Sequence, residues 1–474
     1  MNISIPRYGD GADVIGLPAR AMVFSNSERS TAACPLKWLF AYGDGLKPQN
    51  RSAPMALGTA MHACVEDVHN WWRAKGTAYP GDGSACVWCV GIAADCSQCG
   101  STGEGPVSLT LAEWTAHSLS SEDYTWDQAT EDAEHLSRMF GGWLHVYGRN
   151  PHPDYRVIAP EMKMAVPVVG PGGTPYAPRT WVVPTSTGWR VAQTGEASTE
   201  GAKAVRWPWY QVLTVDALMQ DRRTGDVYLY ECKTSSSPAG RLANVSVDPQ
   251  MSGYCHAVQH LIRQGMIPGV AAYAVVRGYI YDVISSGSHA YPKTLKAVPV
   301  KALHPDTGEP YKNGRSWVYE LDANGDQVER SPGLSMASNA GVSSWRYREA
   351  IHANGFDEAD YADHLLDLMA TVDPKLYVRD IATSGPEVSA RYARELYAVA
   401  QQLSGYRKRS SEMKTAEDRD YQFPRQPVCI AGYGCAFRAP CLRDGDMVRS
   451  EYDAAESIQW NDRAESPQEE TFKW

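Results

Sequence analysis

The sequence predicts a mixed α/β fold, a mixed central sheet flanked by helices, and three observations carry that expectation. Residues 56–74 place Leu57, Met61, Val65, Val68 and Trp72 on one helical stripe. Residues 210–220 and 227–234 read as two strands joined by the turn DRRTGD. Asp248-Pro249 then opens a second helix, with Asp as N-cap and Pro in the first turn. A further strand is expected at 269–276, so helices and strands alternate as they do when helices pack on a sheet.

The remaining elements follow in chain order. Within an N-terminal segment, 1–55, residues 25–42 read as a Ser-capped helix broken at Cys34-Pro35 and then continued. A motif helix at 56–75 is followed by an insertion, 76–125, rich in Gly, Ser and Cys. The core is assigned to 126–290. It opens with a helix at 127–147 (Leu136, Phe140, Leu144), followed by strands at 155–169 and 176–195, where Pro160 and Pro167 indicate a sheet edge. The helix that starts at Asp248 runs to about residue 264. Residues 291–345 form a loop-rich insertion with short strand candidates such as RSWVYELD (315–322). Helices at 357–371 and 386–404 belong to a C-terminal helical region, 346–444.

Composition narrows the classes of protein. A chain of 474 residues with 43% hydrophobic content can bury one large core or two moderate ones. No apolar run approaches the roughly 18 residues of a membrane span. The first residues lack a basic region followed by an apolar one, so a reducing cytoplasm is the expected compartment. An odd cysteine count, eleven, then favours metal ligation over disulfides. The net charge of −10 is unevenly placed: the tail 445–474 carries eight acids against three bases and reads as a solvated acidic extension. A local basic groove elsewhere is therefore compatible with the acidic total. No internal repeat and no GxxxxGK[ST] occurs, so no helicase motor is attached.

Four short motifs carry the chemistry: Gly58-x-x-x-His62 on a helix, Asp216 on a strand, Glu231-x-Lys233 on the next strand, and Gln250-x-x-x-Tyr254 on the following helix. Glu231 and Lys233 are two apart and project from one face of a strand. Asp216, on the other arm of the hairpin, can share that face. Gln250 and Tyr254 are four apart and so neighbours on a helix. Two carboxylates and an imidazole suit Mg or Mn with positions left for water and a phosphate oxygen, and Lys233 would orient the water or stabilise developing charge. Glu66, one turn beyond His62, either assists them or forms a surface ion pair. A structural and a functional role are equally open for Glu161, and Arg277 and Arg407-Lys408-Arg409 either meet phosphate or form solvated faces.

The pairs Cys86/Cys89 and Cys96/Cys99 form two CxxC knuckles, the pattern of a structural Zn site that stiffens an insertion without a core of its own. Cys64, Cys232 and Cys255 read as ordinary buried cysteines.

In their order and setting, the four motifs resemble those of the RecB/AddB-like PD-(D/E)XK nucleases, which include CRISPR-adaptation nucleases and phage exonucleases. With the cysteines below, the resemblance spans roughly 34–441. It implies a restriction-endonuclease-like core and metal ligation by His62, Asp216, Glu231 and the backbone carbonyl of Cys232. It further implies Lys233 as the catalytic lysine, with Gln250 and Tyr254 beside the DNA. The implied activity is that of a deoxyribonuclease, an exonuclease favouring single-stranded ends, with other recombination or replication proteins as partners and a phage protein in a bacterial cytoplasm as the setting. Cys34 with Cys429, Cys435 and Cys441 resembles the iron–sulfur subset of these nucleases, which implies a 4Fe–4S cluster in a helical region built from both chain ends. The last three cysteines are spaced C-x5-C-x5-C where the family has C-x2-C-x5-C; Gly432 and Gly434 permit the detour. Zinc on the same four thiolates is the alternative there. For the whole chain the alternatives are a non-catalytic DNA-end-binding or assembly subunit, and an Fe–S/zinc scaffold.

These assignments predict two separable metals. Anaerobically purified protein should be brown, each of Cys34→Ser, Cys429→Ser, Cys435→Ser and Cys441→Ser should bleach it, and elemental analysis should return about one zinc. Cys86→Ser with Cys89→Ser should remove the zinc and leave the colour; colourless protein with a second zinc would refute the cluster.

Overall fold

A mixed six-stranded sheet organises the computed structural model, which describes residues 7–8, 12–18, 21–48, 53–75, 84–85, 104–105, 126–147, 153–185, 189–287, most of 289–336, 341–415, 422–423 and 452–454. The knuckle cysteines Cys86, Cys89, Cys96 and Cys99, the cysteines Cys429, Cys435 and Cys441, and most of the acidic tail lie outside the described residues.

The strands are β1 (Met22–Ser25), β2 (Tyr155–Pro167), β3 (Trp209–Asp221), β4 (Val227–Ser235), β5 (Val276–Ser285) and β6 (Tyr377–Thr383). Their order is β6-β5-β4-β3-β1, with β2 also paired to β3. The β4–β5 and β3–β1 pairs are parallel and the others antiparallel. A mixed sheet results, as the alternation of elements predicts. Two strands, β1 and β6, come from outside residues 126–290.

Alternation along β4 and β5 divides the core into two layers, and β3 passes from one to the other between Val215 and Ala217. On one face, Ala217, Met219, Tyr230, Cys232 and Ile280 pack against α3 (Ala53–Lys75) and α4 (Trp126–Tyr147). On the other, Leu213, Val215, Leu229, Tyr281 and Val283 share a core with α6 (Pro249–Arg263) and α9 (Pro386–Glu412). Between these helices in the chain lie the short α5 (Pro238–Leu242), α7 (Ser344–Ala353) and α8 (Ala362–Thr371). Under α4, buried Asp282 accepts from Trp143 Nε1 and Tyr230 Oη at 2.9 Å each and is bridged by Arg379 at 2.6 Å, so its charge is fully compensated.

Several local expectations hold for the expected reasons. Ser25 caps α1 (Asn26–Thr31) by accepting from Glu28 N at 3.1 Å, and the chain restarts at Pro35 as α2 (Pro35–Trp38) with Cys34 at its N-cap. Asp248 caps α6, accepting from Gln250 N at 2.8 Å. Pro160 and Pro167 lie on β2, whose outer side meets, among the described residues, the segment at Ile15. Cys64, Cys232 and Cys255 are buried, as read, and Cys34 is buried as well.

Other expectations are corrected. The strand expected at 269–276 begins only at Val276, and residues 270–275 are turn and loop. Gly269 has φ +75° and Tyr273 is 89% exposed, so all but the last residue of the apolar run GVAAYAVV lies outside the sheet, and the buried strand is the ten residues from Val276. The region 176–195 gives two short strands, Thr180–Pro184 and Trp189–Val191, in a separate three-stranded sheet with Lys203–Val205. α8 begins at Ala362 and α9 runs to Glu412. His69, seven residues beyond His62 on α3, is fully buried, edge-on to Tyr230 at 4.7 Å between ring centroids. Burial pushes its imidazole down to about 4.

Arg407 is also structural. It is buried and donates from Nη2 to Glu28 Oε2 and Val23 O at 2.8 Å each, while Trp38 Nε1 donates to Glu28 Oε1 at 3.1 Å. α9 is thereby clasped to α1, α2 and β1. Removing the cation strands a carboxylate of zero exposure. Arg407→Ala should therefore cost about 3–5 kcal/mol of unfolding free energy in chemical denaturation, whereas Lys408→Ala, one residue on and exposed, should leave the transition nearly in place.

Candidate active site

The cleft begins where β3 and β4 diverge. Their last ladder pair is Ala217 with Tyr230; beyond it the Cys232 N–H donates to the Asp216 carboxylate (Oδ2) at 2.7 Å instead of to a strand. α3 fills the space above. Gly58 is there for close approach, since a Cβ at that position would stand 3.0 Å from Thr234 Oγ1. One turn later His62 Nδ1 lies 3.0 Å from Asp216 Oδ2. Glu231 and Lys233 form an ion pair on β4, with Glu231 fully buried. From α6, Gln250 Nε2 donates to Glu231 Oε1 at 3.2 Å and also to Tyr254 Oη. The structure thus brings His62, Asp216, Glu231, Lys233, Gln250 and Tyr254 together. Cys232 turns its thiol into the α3–α4 core, where burial raises it well above the ordinary range.

The cleft has a volume of about 850 Å³ and is lined by Gly58, Thr59, His62, Ala63, Glu66, Glu161, Thr214, Asp216, Thr234, Ser235, Ser236 and Ser286. Glu66 and Glu161, both left open by the sequence, therefore face it. Glu161 is the described non-glycine residue with positive φ, +41°. It lies on β2 between Met162, paired with Val215, and Pro160, paired with Ala217, and so stands opposite Asp216. Such a backbone costs about 1–3 kcal/mol and marks a place where surrounding structure forces the residue. An acid wedged beside a proline on an edge strand was the one signal for it; the hydroxyls of Thr59, Thr214, Thr234, Ser235, Ser236 and Ser286 gave none.

Charge governs the cleft. Burial alone would lower the His62 imidazole, but neighbouring Asp216 holds it above its ordinary range. Burial would raise Asp216, yet His62, Lys233 and the Cys232 N–H keep it below. Glu231 is pushed up by burial and by Asp216. Lys233, despite burial, is held firmly protonated by Glu231 and Asp216. Glu161 is pushed up to about 8 by burial, Asp216 and Glu66.

Among the described residues no three His, Cys, Asp or Glu side chains converge on a ready-made ion position, because the donors pair with one another, His62 with Asp216 and Glu231 with Lys233. The set nevertheless fits a divalent cation. Glu231 Oε2 is buried with no hydrogen-bond partner, and oxygen donors with one imidazole suit Mg or Mn. An uncompensated buried carboxylate oxygen is costly, and a cation would satisfy it.

A mixed sheet that splays to expose an Asp, a buried Glu and a Lys, closed by a helical His, has the form of a metal-assisted hydrolase site. The sequence model of the PD-(D/E)XK nuclease superfamily matches residues 26–441, and the chain belongs to that superfamily, whose members are generally metal-dependent nucleases. No curated protein matches the chain.

The Glu161 environment sets a pH dependence. At low pH its carboxyl is protonated in both folded and unfolded chains; between about 4.5 and about 8 the folded protein alone keeps the proton. Its contribution to stability is full below that interval and lost as pH rises through it. Glu161→Gln, which fixes the neutral form, should melt above the unmodified metal-free protein at pH 8, with the difference shrinking toward pH 5. A constant difference across that range would show that Glu161 does not titrate there.

Proposed function

We propose that the protein is a Mg- or Mn-dependent deoxyribonuclease, an exonuclease acting on single-stranded DNA ends. The observation that carries the reading is the meeting of His62, Asp216, Glu231 and Lys233 in one cleft, with Glu231 Oε2 buried and unpartnered. His62, Asp216, Glu231 and the carbonyl of Cys232 would hold the ion. When bound, it supplies Lewis-acid polarisation of the phosphodiester and activation of the attacking water. Lys233 keeps its proton and so serves as a fixed cation that orients water and stabilises charge on the scissile phosphate. Gln250 holds the Glu231 carboxylate from α6 and donates as well to the Tyr254 hydroxyl beside it. The preference for single-stranded ends rests on the resemblance to the RecB/AddB-like nucleases.

The cysteine assignments belong to the same reading. A cluster shared by Cys34, Cys429, Cys435 and Cys441 is supported by the stacking of Phe423 on Trp38, ring centroids 6.2 Å apart, which brings the segment before Cys429 beside the helix that follows Cys34. For the 86–99 knuckles the support is their spacing. Recombination or replication proteins as partners and a phage origin rest on the resemblance.

With Mg²⁺ or Mn²⁺ the protein should degrade single-stranded DNA from its ends, and EDTA should stop it. Lys233→Ala should lower kcat by at least about 10²-fold, the usual cost of one charge-stabilising donor, in a protein that still folds but melts lower because buried Glu231 loses its partner. Full activity in Lys233→Ala would overturn the assignment.

A further inference from the structure

The strand that enters the cleft needs a phosphate anchor besides Lys233, and the residues lining the cleft include no Lys or Arg. Lys233 pairs with Glu231 and Arg379 with Asp282, and both are largely enclosed, at 21% and 17% exposure. Arg241 is paired as well but is more open. It sits on α5, which follows directly from the Lys233 strand, and its side chain is 41% exposed. Nε donates to Tyr281 Oη at 3.0 Å, and Tyr281 is the register partner of Glu231 on β5. Nη2 donates to Asp248 Oδ2 at 3.2 Å, on the residue that caps the Gln250 helix. Among the described residues Nη1 has no partner. Ser236, exposed and also lining the cleft, lies between β4 and α5.

Two tethers on one exposed guanidinium have little purpose in stability alone, since a surface pair contributes about 0–1 kcal/mol. They do fix the plane of the fork and remove the rotamer freedom that an arginine otherwise loses on binding. The free edge that remains is suited to a phosphate oxygen.

We propose that Arg241 anchors a backbone phosphate of the nucleic-acid strand next to the one held at Lys233, so that the strand runs from the cleft over Ser236 toward α5. The proposal rests on the nuclease reading above. Arg241 is a binding residue: it sets where the strand lies and takes no part in bond breaking.

The test is binding of a fluorescein-labelled oligothymidylate to the full chain, followed by anisotropy in Ca²⁺ across a salt series. Arg241→Ala should weaken binding on the order of tenfold, as for loss of one charged hydrogen bond. It should also flatten the slope of log affinity against log salt by about 0.7, the signature of one lost phosphate on a single strand. Arg241→Lys should keep the slope while losing part of the affinity. Asp248→Asn, which keeps the helix cap and removes the ion pair, should keep the slope as well. An unchanged slope in Arg241→Ala, beside an unmodified protein that binds, would overturn the anchor. So would a loss reproduced in full by Asp248→Asn, because the effect would then pass through α6. An unmodified protein that neither binds nor cleaves single-stranded DNA would overturn the nuclease reading, and the anchor with it.

Discussion

The divergence of β3 from β4 after Ala217 and Tyr230 is the constraint on which the cleft depends. Splaying two strands deep in a sheet leaves backbone donors without ladder partners, and a buried unpaired N–H is rarely tolerated. Here the Asp216 carboxylate takes the Cys232 N–H, so a single side chain both heals the ladder and points an anionic oxygen at the opening. The same gap admits α3, whose close approach leaves a Cβ at residue 58 only 3.0 Å from Thr234 Oγ1. His62 then arrives one turn later with no further adjustment. A continued β3–β4 ladder would bond the Cys232 N–H across strands and close the gap.

The second constraint is electrostatic. Glu66, Glu161 and Asp216 crowd one opening, with buried Glu231 close to Asp216 and with His62 and Lys233 as the compensating groups near them. Two internal pairs hold this assembly together without an ion, at the expense of a raised Glu231, a raised Glu161 and an orphaned oxygen. The positive φ of Glu161 belongs to the same pattern, in which backbone strain is localised where the surrounding sheet dictates it. The buried Glu231 oxygen without a hydrogen-bond partner is the place where a divalent cation would add compensation.

Much of this was legible in the sequence because it is local. The Asp248-Pro249 cap, the break at Cys34-Pro35, the turn between β3 and β4, and the i, i+2 and i, i+4 spacing of Glu231/Lys233 and Gln250/Tyr254 are set by neighbours along the chain. What was not legible depends on tertiary contacts. GVAAYAVV has the composition of a strand, yet its place in the sheet is taken by VRGYIYDVIS, which pairs on both sides with β4 and β6. His69 shares helical spacing with His62 but meets the Tyr230 ring in place of the cleft. Arg407, one of three consecutive cations, looked like its neighbours until Glu28 was placed against it. The approach of Glu161 to Asp216 was invisible for the same reason, since it depends on the β2–β3 register.

The Glu28–Arg407 clasp joins residues 379 apart in the chain. Contacts of such separation form late, after loop-closure entropy has been met by other structure. During synthesis β1 and the helices after it leave the ribosome long before α9 exists, and until then Glu28 has no cation and Trp38 lacks the Tyr406 and Phe423 rings that pack on it. The N-terminal segment must wait in an unburied state while the rest of the sheet is made. The N-terminal part of the fold is therefore completed only after α9 has been made, and α9 acts as the keystone that locks an otherwise assembled sheet.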